Sequence, residues 1–183
     1  DNDIEKIAEV DWVLEAVVER LDIKEKVYNN LLPHLKDTAI LTSNTSGIPL
    51  TDLTSSLPDD VKQRFMITHF FNPPRYMQLL ELVRGEQTSD ETYNTLVEFG
   101  ESVLGKGIVH AKDTPNFIGN RIGVYGMMAT MNLAIKQGLT VEEVDKLTGP
   151  ISGRPKSATF RTADVVGLDT MRHVSKTTYE KAL

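Results

Sequence analysis

The chain contains no cysteine. That excludes disulfides, thiol nucleophiles and cysteine-ligated metals, and it points to a reducing, cytoplasmic setting. No apolar run approaches the roughly 20 residues that a membrane-crossing helix needs. Positive charge is not in excess either. Twenty Lys and Arg stand against 26 Asp and Glu, for a net charge of -6, and the basic residues form no stripe. That balance argues against a nucleic-acid partner, whose affinity rests largely on phosphate neutralisation. No signal peptide opens the chain, and the charged start "DNDIEKIAEVDW" reads as cut from something longer. A dinucleotide fingerprint is missing as well. "GKGIVH" (105–110) places His110 where the third glycine belongs, and it leads into a strand rather than a helix. "GPISGRPKS" has the wrong spacing for a phosphate loop, and Pro155 removes a backbone donor.

What is present is ordinary globular material. The 183 residues, 40% hydrophobic and 25% charged, suffice for one large domain or two small ones. Short apolar runs at 12–18, 38–46, 64–71, 78–83 and 107–111 read as strands. Between them, "IKEKVYNNLLPHL" has helical spacing at Ile23, Val27, Leu31 and Leu32. "TSDETYNTLVEFGESVLG" reads as a helix with Thr88 and Glu91 as a capping box and Gly105 at its C-terminal cap. This alternation predicts an α/β, Rossmann-like, mostly parallel sheet.

The pattern changes after residue 111. Thr114 is expected to cap a long helix with Pro115 at its first position, running to Gly138. A second helix follows, with Thr140 and Glu143 as its capping box, then a loop, then helix from about Thr159. No strand candidate follows residue 112. The division is therefore placed between 1–111 and an all-helical 112–183. Gly119, Gly123 and Gly126 lie in the long helix, where each costs roughly 1 kcal/mol against alanine. They imply a backbone packed closely on that face, within the domain or from a subunit or ligand.

The chemistry-bearing stretch is "THFFNPPRYMQLLEL" (68–82). His69 falls at a strand end, where α/β sheets bind ligands. Alternation puts Leu79, Glu81 and Val83 on one face of the next strand. A buried carboxylate needs a partner, and the Pro-Pro turn could fold that strand back to offer His69. A His–Glu pair fixes the imidazole tautomer and leaves the other ring nitrogen as a base near neutral pH. The residues alone leave a second reading open, in which His69 is a hydrogen-bonded core residue and Glu81 faces water. "TSNTSG" (42–47), also at a strand end, can bind a ligand or cap the helix at Pro49. Asn120 lies early in the long helix. His34, His110 and His173 show no metal-ligand spacing and read as structural or solvated.

Together these segments resemble the L-3-hydroxyacyl-CoA dehydrogenase family. The pieces that carry the resemblance are "VLEAVVERLDIKEKVY", "SNTSG", "HFFNPPRYMQLLELVRG", "KDTPNFIGNRI" and "DVVGLDT", in the family's order and spacing across most of the chain. The resemblance implies a catalytic histidine at His69, its paired carboxylate at Glu81, a substrate-oxygen serine at Ser46 and a completing asparagine at Asn120. It implies that Glu19, Lys24, Ser46 and Asn72 line the nicotinamide side of bound NAD. It also implies an acyl-CoA substrate held between the two domains and a homodimer formed through the helical domain. The family's strand, glycine turn and acidic ribose residue would lie upstream of residue 1, so the chain resembles a piece lacking the N-terminal half of the dinucleotide domain. Asn116 stands where the family often has glycine, and "GPISGRPKSATF" is nearer the long multifunctional members that also carry an enoyl-CoA hydratase. Two functions are therefore expected to compete. One is NAD-dependent oxidation of L-3-hydroxyacyl-CoA, weak in this chain alone. The other is a non-catalytic acyl-CoA-docking and dimerisation module.

Overall fold

A computed structural model describes residues 3–181. The chain divides into two compact units, the first ending at Phe117 and the second beginning at Ile118. The first unit is built on a five-stranded sheet in sequence order: β1 (Trp12–Glu15), β2 (Ile40–Ser43), β3 (Phe65–Phe70), β4 (Leu79–Arg84) and β5 (Gly107–Ala111). β1, β2 and β3 run parallel, β4 is antiparallel to β3, and β5 is parallel to β4. The single reversal has a simple cause. Residues 71–78 are fewer than the dozen or so that a crossover between parallel strands requires, so β4 must fold back.

Alternation along the strands fills two layers. Leu41, Phe65, Ile67 and Val83 face Tyr28 and Leu31 of α1 (Leu21–Leu31). The same cluster takes in Leu50 and Leu53 of α2 (Leu50–Thr54) and Val61 of α3 (Asp59–Gln63). Ile40, Met66, Leu80 and Leu82 face the other way, toward Leu96 of α4 (Asp90–Ser102). The sheet is thus covered by helices on both sides, as a Rossmann-like layer requires.

Two expected caps are corrected. α4 is capped by Ser89, whose side chain accepts from the Thr92 amide. Thr88 is instead buried, its hydroxyl donating to the Phe65 carbonyl at 2.7 Å and accepting from the Gly85 amide at 2.9 Å. Pairing with the sheet outcompetes the capping role there. Gly105 does adopt a left-handed φ of 63°, but beyond the cap residue Val103. Nor does Thr114 open the long helix. Asn116 and Phe117 have φ of 60° and 44°, which no right-handed helix can pass through. Residues 114–117 form a turn, and α5 begins only at Gly119 (Gly119–Gln137). Asparagine, after glycine, is the residue that most readily takes the left-handed conformation, which accounts for Asn116 at a position where glycine would serve.

The second unit is helical: α5, α6 (Val141–Leu147), α7 (Phe160–Val166) and α8 (Leu168–Lys181). Gly138 ends α5 in the left-handed conformation, and Thr140 with Glu143 forms the complete capping box of α6. A Cβ added at Gly123 or Gly126 would meet nothing within 4 Å. Close backbone packing inside the domain therefore does not explain these glycines among the described residues. The side chain of His173 lies outside the described residues. No helix among the described residues is long and apolar enough to cross a membrane.

The two candidate caps of α4 make opposite predictions. Ser89→Ala should lower stability by about 1 kcal/mol, the usual worth of an N-cap hydroxyl. Glu91→Ala should change it by less than about 0.5 kcal/mol, as an exposed site does. Urea unfolding of both variants checks this.

Candidate active site

β1, β2 and β3 all end at the same edge of the sheet, and β4 begins there. In the β3–β4 register His69 lies directly opposite Glu81. Both continue the face of Ile67 and Val83, so both are driven inward: His69 is buried and Glu81 is fully buried. Their side chains meet, with His69 Nδ1 at 2.7 Å from Glu81 Oε2. An ionised carboxylate can only accept, so the Nδ1 proton points at Glu81 and the Nε2 lone pair points away. That second nitrogen is 2.9 Å from Ser46 Oγ. The imidazole is steadied by edge contacts with Phe71 and Phe117, at centroid distances of 4.6 and 5.4 Å. The reading in which Glu81 faces water is thereby set aside.

Ser46 is held by its backbone. Its amide and that of Gly47 both donate to Glu19 Oε1 at 2.9 Å, and the Thr45 hydroxyl donates to the same oxygen. The expected choice for "TSNTSG" between ligand and helix cap resolves differently. α2 has no side-chain cap at Pro49. The Leu50 amide is taken by Asp113 and the Ile48 amide by the Thr45 hydroxyl. Burial pushes the Glu19 carboxyl up, but the Thr45 hydroxyl, the Lys24 ammonium and the two amides outweigh it. The net effect holds Glu19 below the ordinary carboxylate range.

Lys24 sits behind Glu19, with its side chain buried. Its Nζ is 2.8 Å from Glu15 Oε1 and 3.4 Å from Glu19 Oε2. Glu15 is the site residue that pattern reading passed over. It lies in a run read as plain buried strand, yet its carboxylate accepts from Lys24, from Tyr28 Oη at 3.0 Å, from Ser43 Oγ at 2.6 Å and from the Val17 amide at 2.7 Å. That last bond also ends β1 at Glu15 rather than at residue 18. Burial first, and the Glu15 charge second, push the Tyr28 phenol far above its ordinary value, so it remains a donor. The available signal was a carboxylate in an apolar run with Lys24 and Tyr28 spaced one helical turn apart.

Asn72 is exposed, just past the end of β3. Asn120 is half-buried in the first turn of α5, in the second unit. His110, on β5, is hydrogen-bonded through Nδ1 to the Tyr93 hydroxyl and takes no part in this cluster.

The family model for the NAD binding domain of 3-hydroxyacyl-CoA dehydrogenase matches residues 1–114, and that for its C-terminal domain matches residues 117–183. The chain belongs to the 3-hydroxyacyl-CoA dehydrogenase family. A probable 3-hydroxyacyl-CoA dehydrogenase of Bacillus subtilis is 51% identical over all of this chain and 23% of its own length. One from Deinococcus radiodurans is 48% identical over 96% of this chain and 51% of its own. The crystal structure of (S)-3-hydroxybutyryl-CoA dehydrogenase from Ralstonia eutropha superposes with a TM-score of 0.84 at 31% identity, covering 97% of this chain and 62% of that one. The chain thus spans about half or less of the length of these curated relatives. The family's NAD-binding domain is thus represented in residues 1–114, as the assignment of 1–111 to a dinucleotide-binding domain expected.

Glu19 sets a pH dependence. Its folded-state pKa is depressed, so it contributes stability above the unfolded carboxylate pKa and loses that contribution as pH falls through the folded value. The stability advantage of the wild type over Glu19→Gln should be largest at neutral pH and should shrink on acidification through and below the ordinary carboxylate range. Urea titrations at a series of pH values read this directly; a gap that widens toward acid would contradict it.

Proposed function

We propose that this chain carries the proton-transfer centre for NAD-dependent oxidation of an L-3-hydroxyacyl-CoA to the 3-oxoacyl-CoA. The observation that supports it most is the Ser46–His69–Glu81 array at the carboxyl edge of the parallel strands. His69 Nε2 accepts the proton of the 3-hydroxyl. Glu81 holds the ring through Nδ1 and stabilises the imidazolium that forms. Ser46 Oγ, within reach of Nε2, orients the substrate oxygen; for Asn120 the role toward that oxygen rests on the family resemblance alone. A positioned base of this kind contributes ~10² to 10⁴ in rate.

NAD supplies the hydride acceptor when bound. The residues present fit its nicotinamide end. Glu19, Ser46 and His69 come together at the strand ends, where ligands of open α/β sheets bind, and Asn72 is exposed just past the end of β3. The pyrophosphate end is different. The 183 residues contain no G-x-G-x-x-G turn, so no helix N-terminus of the usual kind cradles the phosphates. We therefore assign to this chain weak NAD binding by itself, and we place 1–111 with the cofactor and 112–183 with the acyl-CoA. A cytoplasmic setting belongs to the same proposal. A homodimer through the helical unit is supported by α5, where Ile122 and Tyr125 are largely exposed and the space over Gly123 and Gly126 is open. Such a surface suits a second copy of the same helix. The rival reading, a docking and dimerisation module without chemistry, gives no role to a base buried against a carboxylate.

Mixing NADH and acetoacetyl-CoA with the full-length natural protein and following nicotinamide absorbance tests the assignment. His69→Ala should slow turnover by about 10² to 10⁴; a near-normal rate would remove His69 from the chemistry. The 183-residue chain alone should turn over poorly under the same conditions. Sedimentation of Ile122→Asp should show monomers where the wild type shows dimers, and a monomeric wild type would end the dimer proposal.

A further inference from the structure

Two buried ionisable side chains have no part in the chemistry above: Glu15, 0% exposed in its side chain, and Lys24, 1% exposed. We propose that they are positioning residues that hold the 44–47 loop, and with it Ser46 Oγ, on His69 Nε2. The inference rests on the reading of His69 as the base, and it gives Lys24 an inward task beside the cofactor-lining role that the resemblance implies.

The backbone amides of 45–47 lead to the side chains of this group, while that of Asn44 pairs with the main chain of β1. The Asn44 amide donates to the Glu15 carbonyl at 2.8 Å. The Thr45 amide donates to Ser43 Oγ at 3.2 Å, and that hydroxyl donates to Glu15 Oε2. The Ser46 and Gly47 amides donate to Glu19 Oε1, whose second oxygen faces Lys24. Two routes thus join Glu15 to the loop, one through Ser43 and one through Lys24 and Glu19. A buried ion pair is a poor way to gain stability alone, because apolar side chains of the same volume do as well or better. It is a good way to fix a geometry, since each partner must be satisfied at a defined point. The geometry fixed here is the 2.9 Å contact between Ser46 and the base.

The test uses a double variant, Glu15→Gln with Lys24→Met, which removes both charges and leaves no unpaired ion, and a milder one, Ser43→Ala. The 183-residue chain is labelled with ¹⁵N-histidine, and the His69 Nε2 resonance is assigned by its loss in His69→Gln. Ser46→Ala marks where that resonance lies when the hydroxyl is gone. The double variant should move the signal toward the Ser46→Ala position, and Ser43→Ala should move it part of the way. A wild-type Nε2 position in a folded double variant would overturn the proposal. Should circular dichroism show the double variant unfolded, Ser43→Ala decides alone, and an unmoved signal there overturns it equally. In the full-length protein, kcat of the double variant should fall about ten- to a hundredfold, as sub-ångström to ångström misplacement produces, with KM within about threefold. An undiminished kcat would also overturn it. If the wild type shows no turnover at all, the assigned reaction fails, while the resonance still decides the positioning role without any substrate.

Discussion

The antiparallel register of β3 and β4 is the constraint on which the site depends. A one-residue slip would send His69 and Glu81 to opposite faces, because side-chain direction alternates along a strand. The slip is opposed because turning β4 over would carry Val83 away from the α1 face and leave the Glu81 carboxylate, without His69, in the apolar layer under α4. Core packing therefore enforces the geometry of the His69–Glu81 pair. The same residues that exclude water from the sheet face place the imidazole and the carboxylate 2.7 Å apart. In that dry setting neither group could be left alone, so the pair and the core sustain each other.

A second layer of buried polarity lies behind the first. Glu15 and Lys24 are both removed from water, which costs several kcal/mol per ion. Hydrogen bonds to charged groups return about 1.5–3 kcal/mol each, and Glu15 receives them from Lys24, Tyr28, Ser43 and Val17. Gain and cost are of similar size, so the network is close to neutral for stability while being strict about geometry. The loop it grips carries Ser46, the partner of His69, and the grip comes from three successive features of the fold: the end of β1, the first turns of α1 and the end of β2.

Much of the fold could be read from residue patterns because the signals were local. The strand at 107–111 and the capping box at Thr140 and Glu143 depend only on neighbours in sequence, and both occur as expected. The errors share a cause. Thr88 looked like a cap and became a buried donor to β3, because a distant carbonyl at Phe65 competed for its hydroxyl. Thr114 and Pro115 looked like a helix start, but left-handed backbone at Asn116 and Phe117 interposes a turn that places Phe117 against His69. Glu15 went unnoticed because its partners come from three different segments.

What the sequence determined by itself was the material: the face each strand residue would take, the two classes of structure before and after residue 111, and the family likeness carried by "HFFNP" and "DTPNFIGNR". The first two follow from periodicity, a property of short stretches, and the likeness rests on the quoted motifs. Only the tertiary structure decided which polar groups meet. Hydrogen bonds act over about 3 Å, and the chain must be folded before Glu19 can gather the amides of Ser46 and Gly47 or Lys24 can turn inward to Glu15. Contact at that range between residues far apart in sequence is set by packing, and packing is a property of the whole sheet.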